Sequence, residues 1–181
     1  SFSESSEGIV CGALNEISSE NNCDRVVTLA TQCVRRAHWK LNETAGVIVG
    51  SARGATGLLE AAVDRFNLSG EVSPHTSPST TAGLLSSVVA RELNVPGFCQ
   101  SMSCTCSTAL MCLLNASAMC AAGGGEAVVA GASEAPLTKF GFAQMEALRI
   151  YSKLSKDEFP SRPFSGTQNS FVLAEGAGLF L

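Results

Sequence analysis

The sequence predicts an α/β fold on a largely parallel sheet, and three observations carry that reading. Short apolar runs alternate with segments of helical period along nearly the whole chain. Apolar residues make up 45% of the 181 positions and charged residues only 15%, so a chain within the range of a single domain can bury a substantial core. The clearest strand-like run, AGVIVG (45–50), is β-branched and bounded by glycine, the pattern of a strand covered on both faces.

The elements follow in order. GIVCGAL (8–14), set in a polar, Ser- and Asn-rich opening, reads as one strand. Residues 25–41 place apolar side chains at helical spacing, with Arg35, Arg36 and Lys40 toward the end, where a helix dipole favours cations. After the strand at 45–50, residues 54–68 return to helical period, and the Ser-, Thr- and Pro-dense stretch 69–83 reads as loop. A helix is expected over 83–95, stopping before Pro96, and a strand over 97–103, GFCQSMS. Residues 106–125 form an Ala-, Leu- and Met-rich helix closed by three glycines. A strand at 126–135, a helix at 140–152 and a last strand within 170–181 complete the series.

Composition excludes several classes. The net charge is −4, and of twelve Lys and Arg only Arg35 and Arg36 are adjacent, so no basic stripe for nucleic acid exists. No run reaches the roughly 20 apolar residues of a membrane span. SFSESSEG at the start lacks the basic and hydrophobic regions of a secretory signal. Eight cysteines in an aliphatic-rich chain read as small buried hydrophobes in a reducing compartment, which places the protein in the cytoplasm. With no initiator Met and an apolar ending on GLFL, the chain is expected to be a piece of something larger.

SMSCTCSTALMC (101–112) holds three of the cysteines. Metal binding is not expected: Cys104 and Cys106 are one residue apart, no second knuckle exists, and His38 and His75 lie elsewhere. A redox C-x-x-C pair is absent from this stretch too. Three buried thiols is the structural alternative. Position singles out Cys106, at the junction of an expected strand and an expected helix. A helix N-terminus favours thiolate, and its free N–H groups can hold the oxyanion formed when a thiol attacks an acyl carbonyl. GSARGATG (50–57) is not a dinucleotide fingerprint, AGGGE (122–126) reads as a helix C-cap, and Glu134 and Glu175 are lone acids with a structural role by default.

SMSCTCSTA resembles the strand–Cys–helix elbow of the β-ketoacyl-acyl carrier protein synthases, condensing enzymes of the thiolase-like fold. SPHTSPST, NVPGF, GGEAVVAGASEAPLTKFG, ALRIYS, SRPF and FVLAEGAG stand in that family's order and spacing, from about Asp24 to Leu181. The resemblance implies a layered α-β-α architecture with a largely parallel mixed sheet, of which residues 1–181 are the N-terminal half and a C-terminal half is absent. It makes Cys106 the acyl-accepting nucleophile in a decarboxylative condensation with malonyl carrier. It implies no metal and no cofactor beyond the phosphopantetheine of an acyl carrier protein. The family's two histidines and a lysine come from its second half, and neither His38 nor His75 resembles them, so this chain alone is expected to be inactive.

The resemblance also implies a dimer, homodimeric or with a related ketosynthase chain, through the edge strand 97–103. There are departures. In PFSGTQNSF (163–171), Ser165, Gln168, Asn169 and Ser170 replace a charged set; the segment resembles the ketosynthases of aryl-polyene and flexirubin-type pigments. Arg53 stands where an apolar residue usually gates the acyl pocket, suiting a short or polar acyl group or simply meeting solvent. Two alternatives remain: a non-catalytic partner subunit like the chain-length factors, which lack the cysteine, and a coenzyme A-dependent thiolase.

Overall fold

Strand and helix alternate as expected in the computed structural model, which describes residues 2–4, 10–18, 23–42, 44–167 and 171–181. In chain order the elements are β1 (Phe2–Glu4), β2 (Val10–Gly12), α1 (Arg25–Ala37), β3 (Gly46–Gly50), α2 (Thr56–Ser69), α3 (Thr76–Thr80), α4 (Leu84–Glu92), β4 (Cys99–Gln100), α5 (Thr108–Ala121), β5 (Val128–Glu134), α6 (Lys139–Ala147), a 3-10 turn (Lys156–Glu158) and β6 (Gly176–Phe180). They gather into two compact units: Ser19–Ala135 with Gly176–Leu181, and Ser1–Ser18 with Pro136–Glu175.

The larger unit holds a mixed sheet in the order β4-β3-β5-β6. β4 and β5 run parallel to β3, and β6 is antiparallel to β5. β3 is buried throughout, because Val47, Ile48 and Val49 point alternately to two covered faces. Ile48, Val128 and Ala130 pack on Cys112 and Ala116 of α5. On the opposite face the Ser133 hydroxyl of β5 donates to the Val26 carbonyl of α1, at 2.7 Å. Helices therefore cover both faces, giving the layered α-β-α arrangement that the family resemblance implies. Each fully buried aliphatic of this core contributes about 1.5–3 kcal/mol.

The ends of the helices have local causes. Asp24 caps α1, its carboxylate accepting from Val26 N–H at 2.9 Å, and the second oxygen accepts from Leu58 N–H of α2 at 2.8 Å. One buried acid thus fixes two helix starts. α4 ends when Asn94 turns left-handed at φ 53° and Val95 N–H closes on the Ala90 carbonyl at 2.9 Å. Arg35 of α1 pairs with Glu92 of α4 at 2.7 Å, and that hydrogen bond holds the Glu92 carboxyl below its usual range.

Some expectations require correction. The stretch 69–83 is not all loop: α3 forms within it, with Pro78 in a first turn, where proline is tolerated. The strand expected over 97–103 is only two residues long. Ser86 of α4 is the reason. Its hydroxyl accepts from Val49 N–H at 3.0 Å, lies 2.8 Å from the Val49 carbonyl and meets the Gln100 carbonyl. A side chain thereby occupies the groups on which the β3–β4 ladder would continue. The helix expected over 140–152 stops at Ala147, and Arg149 follows with φ 56°.

In the smaller unit, β1 and β2 pair antiparallel. Cys11, Phe142 and Leu173 form its core. Tyr151 stacks edge-on against Phe171 at 6.2 Å, and its hydroxyl accepts from Leu173 N–H at 3.2 Å. Gln168, Asn169 and Ser170, three of the four positions that depart from the family pattern, lie outside the described residues.

Candidate active site

Between β4 and α5 the chain turns sharply. The Cys104 carbonyl accepts from Ser107 N–H at 3.2 Å and from the Ser107 hydroxyl at 2.8 Å. Thr105, inside this turn, sits in the left-handed region at φ 51°, a conformation that costs a β-branched residue energy and persists only when neighbours enforce it. The enforcement is visible. Thr108, buried in the first turn of α5, accepts from Cys104 N–H at 2.8 Å and donates to the Thr105 carbonyl at 2.7 Å.

The three cysteines fall into three environments. Cys106 is exposed at the turn, two residues ahead of the first helical residue of α5. Cys104 is half-buried. Cys112 is fully buried against the sheet, and burial pushes its thiol up from the ordinary value. Cys106 alone of the three combines solvent access with a place at the entrance to a helix, where N–H groups and the dipole favour an anion.

Two neighbouring segments support the turn. Gly50 ends β3 without a side chain, and a Cβ there would lie 2.2 Å from the Met102 carbonyl oxygen and 2.5 Å from Thr108 Cγ2. β3 therefore abuts the backbone leading to Cys106. The following loop, 51–54, is pinned from β5. The Ser51 hydroxyl donates to Glu134 at 2.6 Å, Ala52 N–H donates to the same carboxylate oxygen, and Gly54 N–H donates to Ser51 Oγ at 2.8 Å. Ser103 then donates to the Ala52 carbonyl at 3.2 Å. The loops after β3 and β4 and the last residue of β5 thus meet at the C-terminal ends of the parallel strands, the usual place for a site in such sheets.

Other singled-out residues lie elsewhere. His38 closes α1 and His75 opens α3, both exposed. Arg53 is exposed on the 51–54 loop. Glu175 accepts from Leu14 N–H at 2.8 Å, a structural tie within the smaller unit. Among the described residues, no three His, Cys, Asp or Glu side chains gather as metal ligands do, and no helix is long and apolar enough to cross a membrane. A cavity of about 590 Å³ opens beside α2 and α3, lined by Leu58, Arg65, Val72, His75 and Thr76 among others; Cys106 does not line it. Sequence reasoning missed the Ser51–Glu134 pin and the Ser86 staple, because hydrogen bonds between distant residues leave no periodic mark.

Fold and turn together define an α/β protein with a cysteine presented at a strand-to-helix junction. The chain belongs to the β-ketoacyl synthase family: residues 18–181 match its N-terminal domain. It is 30% identical over 138 residues to the chloroplastic 3-oxoacyl-[acyl-carrier-protein] synthase II of Arabidopsis thaliana, covering 75% of this chain and 26% of that protein. Among solved structures it is similar to a type II polyketide ketosynthase in complex with its acyl-carrier protein, with a TM-score of 0.81, 20% identity, and coverage of 98% of this chain and 49% of that one. It is also similar to the ishigamide ketosynthase/chain length factor, with a TM-score of 0.72, 22% identity, and coverage of 90% and 42%. The chain therefore spans from about a quarter to a half of the length of these relatives.

Proposed function

We propose that the protein containing this chain is a β-ketoacyl-acyl carrier protein synthase, with residues 1–181 as its N-terminal half, acting in fatty-acid, polyketide or polyene synthesis. The observation that carries this reading is the exposed Cys106 at the enforced turn into α5. The Cys106 thiolate attacks the acyl thioester of a carrier protein, a C–S bond forms, and the pantetheine thiol leaves. Decarboxylation of a malonyl carrier thioester then yields a carbanion that attacks the acyl-cysteine. Carbon dioxide and the free thiol are released. No resident metal or organic cofactor is part of the proposal; the substrates ride on the carrier's phosphopantetheine. The family match favours the synthase over a thiolase, and the cysteine itself speaks against a non-catalytic partner subunit. The histidines and lysine of decarboxylation are assigned to the second half, so this chain alone is inactive in condensation. Eight cysteines in an aliphatic-rich chain support a reducing compartment, and we place the protein in the cytoplasm, although only Cys11 and Cys112 are buried as small hydrophobes and four of the eight are exposed.

The test is acylation of the full-length protein by an acyl carrier thioester, followed by peptide mapping. The acyl group is expected on Cys106, which iodoacetamide at neutral pH should also label before Cys23, Cys99 and Cys120, the other exposed thiols. An adduct on Cys104 or Cys112, with Cys106 unmodified, overturns the assignment.

We further propose a two-fold dimer, with itself or with a related chain, through β4. This strand sits at the sheet edge with both residues exposed, and an uncovered edge invites pairing. Val47 N–H donates to the Phe98 carbonyl, so residues 98 and 100 face β3 and Cys99 turns its N–H outward. Cys99→Pro should leave the protomer folded while weakening association at least tenfold by sedimentation equilibrium. A monomeric parent protein at micromolar concentration would count against the dimer.

A further inference from the structure

We propose that Glu134 is a positioning residue for acyl transfer: its carboxylate fixes the 51–54 loop, and through that loop the backbone that presents Cys106. The inference rests on the acyl-transfer reading above and goes beyond it by giving a role to an acid that touches no reacting atom.

Glu134 is the last residue of β5, the strand beside β3 in the sheet. One of its oxygens accepts from both the Ser51 hydroxyl and the Ala52 N–H. A charged acceptor makes such bonds shorter and roughly twice as strong as neutral ones. Ser51 is itself buried, and its oxygen accepts from Gly54 N–H at 2.8 Å. Both ends of the loop turn are therefore closed through one side chain, and that side chain is held by Glu134. The Ala52 carbonyl is left facing Ser103, whose hydroxyl donates to it at 3.2 Å. Ser103 precedes Cys106 by three residues, and the backbone at Met102 is already in contact range of Gly50. The chain of bonds thus runs β5, Glu134, Ser51, loop, Ser103, turn. An apolar residue at position 134 would fill the space but leave the Ser51 hydroxyl and the Ala52 N–H without their acceptor. Displacing a nucleophile by about 1 Å is enough to slow a reaction by up to about 10²-fold.

The experiment uses the full-length protein and follows two rates at Cys106: acylation by a saturating hexanoyl-acyl carrier protein, and alkylation by iodoacetamide, which needs no aligned donor. Glu134→Ala should slow acylation at least tenfold and alter alkylation by less than about twofold. Glu134→Gln keeps an accepting oxygen and should retain acylation within about threefold. Ser103→Ala, at an exposed position, should slow acylation several-fold, and adding it to Glu134→Ala should cost no more than Glu134→Ala alone, since both cut one chain of bonds. If Glu134→Ala fails to fold, Ser103→Ala and Glu134→Gln carry the test by themselves. Acylation of Glu134→Ala or Ser103→Ala at the parent rate, or a parallel fall in alkylation, overturns the positioning role while leaving Cys106 as the nucleophile. A parent protein that is never acylated at Cys106 overturns the acyl-transfer reading, and this inference with it.

Discussion

Cys106→Ala should remove acyl-enzyme formation by at least about 10³-fold while leaving the unfolding midpoint in urea nearly unchanged. The first half follows from the proposed chemistry: alanine offers no atom to bond the acyl carbon, and losing a nucleophile costs what losing the whole covalent route costs. The second half follows from exposure. Cys106 is exposed at the turn, and surface substitutions away from packed or capping groups usually stay within about 0.5 kcal/mol. Cys112→Ala supplies the mirror-image control. That thiol is fully buried among Ile48, Ala116 and Ala130, so its loss should cost stability through a small cavity and leave the acylated peptide in place. Peptide mapping after exposure to an acyl carrier thioester, paired with a urea titration of each variant, checks both halves. Persistent acyl-enzyme in Cys106→Ala would remove the nucleophile assignment outright.

Gly50→Ala is expected to have the largest effect on the fold. The added methyl would lie 2.2 Å from the Met102 carbonyl oxygen and 2.5 Å from Thr108 Cγ2. The first of these is backbone and cannot rotate aside. The second belongs to the side chain that holds the Cys104–Thr105 turn at 2.8 and 2.7 Å. Relief therefore requires β3 to separate from the segment after β4, or Thr108 to abandon its bonds. Overpacking of this kind costs about 3 kcal/mol, or roughly 6–12 °C in Tm for a chain of this size. Because the displaced groups support the turn, acylation of Cys106 should fall with it. A Gly50→Ala protein as stable as the parent would show that the close approach of β3 to residue 102 is absent in solution.

How much of this was legible from the amino acids varies with the range of the interactions. β3 was legible because Val47, Ile48 and Val49 are all apolar between glycines, and burial on both faces leaves that mark. α1 was legible because its buried residues, Val26, Leu29, Ala30 and Val34 among them, recur at helical spacing. The start of α5 near Cys106 was legible within two residues from the Ala-, Leu- and Met-rich run, although the strand before it ends at Gln100. The family, too, could be read from motif order, and the match over residues 18–181 agrees. β4 was overestimated because propensity does not register that Ser86, 14 residues earlier, takes the Gln100 carbonyl. α3 was overlooked because Ser, Thr and Pro density signals a loop, although Pro78 fits a first helical turn. The Glu134–Ser51 pair, 83 residues apart, left no local trace at all. The division into two compact units was equally invisible, because the smaller one joins the N-terminal segment to residues far along the chain: Gly12 N–H donates to the Leu173 carbonyl at 2.9 Å.

The Ser86 staple has a dynamic consequence. In an ordinary sheet, fraying of an edge strand strips the amides of its neighbour, and local opening spreads inward. Here the Val49 amide is held by a helix side chain and not by β4. The edge strand can lift, slide or be recruited by another chain while the last part of β3 stays protected from solvent exchange. β3 ends at Gly50 against the Met102 carbonyl, so the staple gives that end of the strand an anchor on α4 in addition to its pairing with β4.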